Sequence, residues 1–191
     1  MLRSLRYNLA RLARFSGRES TGLFWPYAGT VLILLIVGMA GIMLPLFADT
    51  FGRMQRFAAE HPDQATVTSG PGTYSISIQG NHPELFPDLS GFFSLMEIGI
   101  AIAVILLAAA VSRRLHDRGR SALWGILPLP FLSFSFVAMA KILASNPPDL
   151  RLFAAVFVNN IIYLASLLFL VIHLASGGTR GPNRYGDISD Q

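Results

Sequence analysis

The sequence predicts an all-α integral membrane protein: a bundle of four membrane-spanning helices, preceded by an amphipathic helix at the membrane interface. A small external loop containing a hairpin completes the fold. The 191 residues are 52% hydrophobic and only 14% charged, with a mean hydropathy of +0.51, which is atypical of soluble domains. The apolar residues are concentrated in four blocks of about 20 residues, the length that crosses a ~30 Å hydrocarbon core. A chain this short could not enclose four such helices in polar protein, which excludes a soluble fold.

Residues 1–22 are predicted to form a cytoplasmic amphipathic arm. Leucines recur in it at helical spacing, and arginines occupy the opposite arc. The leucines are Leu2, Leu5, Leu9 and Leu12, and the arginines are Arg3, Arg6, Arg14 and Arg18. This pattern predicts a helix in the headgroup layer with its arginines toward anionic lipid. An Arg-rich, acid-poor start is also typical of a mitochondrial presequence, whereas the following apolar stretch is too long for a cleaved secretory signal.

The membrane domain is predicted over residues 23–175. Its four spans are placed at residues 23–47, 91–111, 122–143 and 152–174. An even number of spans puts both termini on one side of the membrane, so residues 176–191 form a tail on the same side as the arm.

The external loop, residues 48–90, is predicted to contain a β-hairpin. Alternating runs at residues 66–68 and 74–78 flank the turn-forming sequence Ser69-Gly70-Pro71-Gly72. The loop is interpreted as a connector that shields the helix ends. A binding surface is the alternative.

The distribution of positive charge predicts the orientation. The arm, the loop between spans two and three and the tail carry eleven arginines, whereas the opposite side carries four Lys or Arg residues. Positive residues near span ends are retained in the cytoplasm, so both termini are predicted to be cytoplasmic.

The loop between spans two and three holds the most informative run, Ser112 to Trp124. Most of this run would suit any helical hairpin. It supplies arginines at a helix C-terminus, a glycine for a left-handed turn, a serine N-cap and an interfacial tryptophan. A plain hairpin would not need His116 and Asp117. Four arginines around one acid leave positive charge unmatched, which favours a phosphate-bearing headgroup or an acidic partner.

Three motifs resemble those of the bacterial inner-membrane family catalogued as domain of unknown function 805. They are the run Arg113-Arg114-Leu115-His116-Asp117, the segment Phe15-Ser16-Gly17-Arg18 with Phe24-Trp25, and the segment from Gly178 to Gly186. Ser20-Thr21-Gly22 stands where the family commonly has a second basic residue, and Asp187-Ile188 where it commonly has Asp-Pro. The family is uncharacterised, so the resemblance implies a fold and a bacterial inner-membrane location but no activity.

All three motifs lie on the predicted cytoplasmic side and are expected to form a single cluster there. In that cluster Asp117 orders the neighbouring arginines, His116 makes a hydrogen bond and the tail folds back over the loop. The predicted members are Arg18, Arg113, Arg114, His116, Asp117, Arg120, Asn183, Arg184 and Tyr185.

Nothing in the sequence specifies a reaction. Cysteine is absent, and no nucleophile elbow, metalloprotease, phosphate-loop or dinucleotide motif occurs. Adjacent His116 and Asp117 point apart on a helix and lack further ligands for a metal. We therefore expect no enzyme activity, catalytic residue, metal, cofactor or nucleic-acid partner.

Polar residues inside the spans support a second interpretation. Glu97, Lys141, Asn159 and Asn160 interrupt apolar stretches, and ionisable groups within a membrane often mark a function. The preferred interpretation is an interhelical hydrogen bond, since Glu97, Asn159 and Asn160 have similar predicted depths, while Lys141 snorkels or pairs with Glu97. The alternative is a small oligomeric proton-coupled transporter or channel.

The function predicted from sequence is therefore a non-enzymatic binding or organising module in the inner membrane. Its basic face is expected to engage anionic lipid headgroups, or else a membrane-protein partner or further copies of itself.

A reporter fused after Gln191 tests the predicted orientation. We expect a reporter that is active only in the cytoplasm to be active there, because the arginine-rich segments flank the spans on that side. Activity of a reporter that works only outside the cytoplasm would contradict this topology.

Overall fold

A computed structural model describes residues 1–87, 89–145, 147 and 149–187. Asp88 of the predicted external loop and residues 188–191 of the predicted tail lie outside the described residues. The elements are mostly helical: α1 (Leu2–Leu9), α2 (Thr21–Glu60), α3 (Leu89–Asp117), α4 (Leu129–Ala144) and α5 (Leu150–Ala175), with strands β1 (Ala65–Gly70) and β2 (Thr73–Ile78). Short 3-10 helices occupy Pro83–Leu85 and Ala122–Ile126.

Four helical segments are long and apolar enough to cross a membrane. They are Thr21–Glu60, Pro83–Asp117, Ala122–Ala144 and Leu150–Ala175. Each contains the whole of one predicted span, so the coarse prediction of a multi-pass helical protein is confirmed.

The predicted element boundaries need two corrections. Helix α2 continues beyond Phe47, the predicted end of the first span, to Glu60, and residues 48–60 contain no proline to end the helix. The third span is not one α-helix: the 3-10 helix ends at Ile126, and α4 begins at Leu129 with Pro128 as its N-cap and Pro130 in its first turn. Proline suits the start of a helix, where an amide hydrogen has no intrahelical partner.

The chain divides into two compact units, Met1–Ile36 with Met96–Gln191, and Val37–Leu95. The larger unit has an apolar core where α2, α3 and α5 meet. Its buried members are Phe24, Tyr27, Ala28 and Val31 of α2, Ala103, Ala110 and Leu115 of α3, and Leu170 and Leu174 of α5. The Tyr27 hydroxyl donates to the Leu106 carbonyl at 2.9 Å. Helix α4 packs against α5.

The smaller unit contains the hairpin, which confirms that part of the prediction. Strands β1 and β2 pair antiparallel, with Ala65 opposite Ile78. Pro71 followed by Gly72 at φ +74° matches the residue pattern of a type II turn. The Tyr74 ring lies edge-on to Phe51 of α2 at a centroid distance of 5.6 Å. A lone hairpin is marginally stable, and this contact gives it a helix to pack on.

The helix of the predicted arm is shorter than expected, and it turns a polar face toward the rest of the protein. Helix α1 ends at Leu9, and its buried residues are Ser4 and Asn8, which are polar. Leu2 and Leu9 are 77% and 52% exposed. The polar residues are buried because Ser4 donates to the Leu23 carbonyl and Asn8 bonds to Glu19. The exposed leucines remain available to a membrane surface.

Candidate functional site

Five charged residues of the larger unit form a buried arginine–carboxylate network: Arg18, Glu19, Arg113, Arg114 and Asp117. The Asp117 carboxylate accepts from Arg18 Nε at 2.9 Å and from Arg114 Nη1 at 2.5 Å. The Glu19 carboxylate accepts from Arg113 Nε at 2.9 Å. The ion-paired side chains are no more than 4% exposed. Buried charges need such pairing, because each isolated ion would lose its hydration without compensation.

Helix geometry at the end of α3 explains how neighbouring arginines of one helix pair with two different carboxylates. Arg114 and Asp117 are three residues apart and therefore share a face of the helix. Arg113 points in a different direction, toward the segment that precedes α2. That segment runs beside α3, with the Glu19 amide donating to the Arg113 carbonyl at 3.2 Å.

Arg113 binds the N-terminal arm to α3. Its Nη1 atom donates to the carbonyls of Arg11 and Arg14 at 3.0 and 2.5 Å, and its Nη2 atom donates to Asn8 Oδ1 at 2.5 Å. Asn8 in turn donates to Glu19 at 2.8 Å. The arm is therefore held by hydrogen bonds from a buried guanidinium.

Arg114 and Arg18 bind the other end of the chain. Arg114 Nε donates to the Leu174 carbonyl at 2.9 Å, and Nη2 donates to the Ser176 carbonyl. These carbonyls lie at the C-terminus of α5, where intrahelical donors are missing and positive charge is favourable. Arg18 donates to the carbonyls of Thr179 and Gly181 at 2.9 and 2.7 Å.

The chain after α5 folds back over the end of α3. The Tyr185 ring stacks on His116 at a centroid distance of 3.9 Å and an interplanar angle of 7°. Asn183 Nδ2 donates to the His116 carbonyl at 3.0 Å, and Arg184 donates to the Gly119 carbonyl at 3.3 Å. His116 Nδ1 lies 3.3 Å from the Gly17 carbonyl oxygen. The structure thus brings the three sequence motifs together.

Gly178 is the point where this returning segment passes closest to the network. A Cβ atom built on Gly178 would lie 2.1 Å from Asp117 Oδ2. Real Cβ atoms do not approach so closely, and Asp117 is held on both sides by arginines. Glycine here is therefore required by the close approach of the backbone to the carboxylate.

Sequence reasoning missed Glu19 and consequently misjudged the charge balance. The expectation of arginines left unmatched around Asp117 is wrong for Arg113, because Glu19 pairs with it. Arg113 and Arg114 are 2% and 0% exposed, so they are not open to a headgroup. Arg18 is also buried rather than facing lipid from an amphipathic helix. The only signal for Glu19 was an isolated acid within an arginine-rich arm.

Burial raises the pKa of the Glu19 carboxyl above its ordinary value, although Asn8 and Arg113 act to lower it. The increase in the pKa caused by desolvation of the carboxylate is therefore larger than the decrease caused by its partners. Loss of either partner would leave Glu19 more poorly compensated.

Arg120 does not join the network, although it was predicted to belong to the cluster. It is exposed and makes no hydrogen bond to the network within the described part of the chain. Neighbouring Arg118 instead donates to the His173 carbonyl of α5 at 3.1 Å.

The predicted intramembrane polar residues form no common group. Asn159 Nδ2 donates to the Phe131 carbonyl and to Ser135 Oγ, both at 2.8 Å, and Ser135 donates to Asn160 Oδ1 at 2.7 Å. An interhelical hydrogen bond thus exists, but its partners lie on α4. Among the described residues no hydrogen bond or ion pair joins Glu97 to either asparagine or to Lys141.

A cavity of about 200 Å³ opens beside the network, between the arm and the returning tail. Its lining includes Tyr7, Arg11, Arg14, Arg18, Arg113 and Tyr185, together with the acidic residue Asp187. The guanidinium of Arg11 lies 3.9 Å from the centroid of the Tyr7 ring. Of these arginines, Arg18 and Arg113 are neutralised by the carboxylates, whereas the Arg14 side chain is exposed.

Comparison with known proteins agrees with the family motifs. A family model described as "Protein of unknown function (DUF805)" matches residues 12–187, which is most of the chain. Neither the curated proteins nor the solved structures contain a match.

Exchange of Asp117 for Asn tests the importance of the network. We expect Asp117→Asn to lower the free energy of unfolding by about 3–5 kcal/mol, because two buried arginines lose their charged acceptor. The midpoint of thermal unfolding in detergent and the amount of protein in membranes measure this.

Asp49→Asn is the matched control in the hairpin-containing unit. Asp49 is 63% exposed and pairs with Arg53 at 3.1 Å, so its loss should change stability by no more than about 0.5 kcal/mol. Equal effects of the two exchanges would show that the network has no special role.

Proposed function

The chain belongs to the DUF805 family, and from that premise we propose that it is a bacterial inner-membrane protein that binds anionic lipid headgroups at its cytoplasmic face. The four apolar helices support the membrane location. The excess of arginines on the side of both termini supports the orientation. We propose a binding module rather than an enzyme.

The observation that carries this proposal is the separation of the arginines into a buried and an exposed set. The buried set holds the chain ends to α3. The exposed set remains around the same end of the unit and consists of Arg3, Arg6, Arg14, Arg120, Arg180 and Arg184. Their guanidinium groups can donate to phosphate oxygens, and Arg fits phosphate geometry through paired N–H groups.

Exposed apolar residues beside these arginines favour a lipid over a free anion. Met1, Leu2, Leu9 and Phe15 are at least half exposed, and they belong to the same segment as Arg3, Arg6 and Arg14. Apolar side chains can enter the acyl boundary while the arginines reach the phosphates. The cavity lined by Arg11 and Arg14 would then receive one headgroup.

The buried network supports binding rather than catalysis. Its carboxylates are engaged by arginines and its guanidinium groups by carboxylates or backbone carbonyls. Such a network fixes geometry, because its carboxylates are already engaged by arginines. It would hold the arm and tail in position for a lipid.

Lipid retention by an Arg11→Gln, Arg14→Gln double variant tests the proposal. Each cation near a membrane surface contributes about 1 kcal/mol to attraction for anionic lipid, so we expect affinity to fall about 30-fold. Native mass spectrometry of delipidated protein titrated with phosphatidylglycerol, and separately with phosphatidylcholine, measures this.

The matched control is Arg56→Gln with Arg151→Gln. It removes the same charge from exposed residues that are predicted to lie on the opposite side of the membrane. We expect it to retain phosphatidylglycerol like the unaltered protein. Equal loss in both variants, or equal binding of the two lipids, would contradict the proposal.

A further inference from the structure

Asn160 presents an amide on the exposed surface of α5. Its Oδ1 atom accepts from Ser135, but its Nδ2 atom has no hydrogen-bond acceptor among the described residues. Adjacent Asn159 differs, because its Nδ2 atom donates to Ser135 and to the Phe131 carbonyl. The second asparagine therefore keeps donors that α4 does not satisfy.

The position of Asn160 along α5 makes these free donors significant. It lies about ten residues from Leu150 and about fifteen from Ala175, or ~15 and ~22 Å along the helix. If α5 spans a bilayer, the amide lies deep in the hydrocarbon, where no water can accept its hydrogen bonds. A polar partner from another chain would remove that cost.

The residues around Asn160 form an apolar stripe along one face of α5. They recur at intervals of three or four, the spacing that aligns side chains on a helix and that mediates helix pairing. The stripe consists of Phe153, Phe157, Asn160, Leu164 and Leu168. Its four apolar members are 57–64% exposed.

We propose that this stripe is a homodimer interface in which α5 packs against α5 of a second copy. An asparagine amide is self-complementary, because its Nδ2 atom donates and its Oδ1 atom has a second lone pair to accept. A two-fold axis brings identical residues of two copies together, so the two Asn160 side chains can exchange hydrogen bonds. Interhelical hydrogen bonds of this kind promote association within membranes.

The second copy is the occupant that the chemistry favours. Lipid chains offer no acceptor for the amide. A different membrane protein would need its own polar residue at the same depth, whereas a second copy supplies one by symmetry. The interface needs only that α5 spans the membrane and is independent of what the exposed arginines bind.

The absence of cysteine allows a direct test by single-cysteine cross-linking in native membranes. We expect Leu164→Cys to form a disulfide-linked dimer on oxidation. Ile162→Cys is the control at nearly the same depth, because Ile162 is also exposed but lies on the far side of α5 at ~100° per residue. Cross-linking at neither position, at both equally, or only at Ile162 would overturn the proposal.

Asn160→Val in the Leu164→Cys chain tests the role of the amide. We expect dimerisation to weaken about three- to twentyfold, the range measured for interhelical hydrogen bonds in membranes. The midpoint of thermal unfolding at high dilution establishes that the monomer still folds. Undiminished cross-linking in a folded Asn160→Val protein would show that another contact pairs the chains.

Discussion

Buried guanidinium groups must be surrounded by oxygen acceptors, and this constraint organises the end of α3, where the arm and residues 176–187 meet it. Glu19 and Asp117 supply the negative charge, and backbone carbonyls of the arm, of the end of α5 and of the tail supply the remaining acceptors. A buried ion network costs desolvation and so contributes little net stability compared with apolar packing. The consequence we expect is specificity, because segments far apart in sequence must meet at α3 to satisfy these arginines.

The sequence predicts the coarse architecture because hydrophobic length and turn chemistry are local properties. Four apolar blocks and the Pro71-Gly72 turn identify the spans and the hairpin.

The extension of α2 to Glu60 was missed because residues 48–60 are polar enough for a loop yet compatible with a helix. Glu19 was missed because its pairing with Arg113 is set by tertiary contact. Periodicity placed Arg18 on a helix, whereas the side chain is drawn into the network by Asp117.

The division of the arginines relates this architecture to the proposed function. In the sequence, the arginines near the spans form one set that explains orientation. In the structure, three arginines are buried and hydrogen-bond the arm and tail to α3: Arg18, Arg113 and Arg114. Other arginines, such as Arg14 and Arg120, are exposed. A scaffold that fixes the arm and tail lowers the entropy lost when the exposed residues bind a headgroup. The α5 stripe that we propose as a dimer interface contains none of these arginines.

The most direct measurement of the central claim is a double-mutant cycle between Arg113 and Glu19, using Arg113→Met and Glu19→Leu. Each single exchange leaves one charge buried and should lower the free energy of unfolding by about 3–5 kcal/mol, whereas the double exchange removes both charges. Because Arg113 and Glu19 form one buried pair, we expect the double variant to lose at least about 2 kcal/mol less than the sum of the single losses. Losses that add within about 0.5 kcal/mol would contradict it, since independent sites behave in that way.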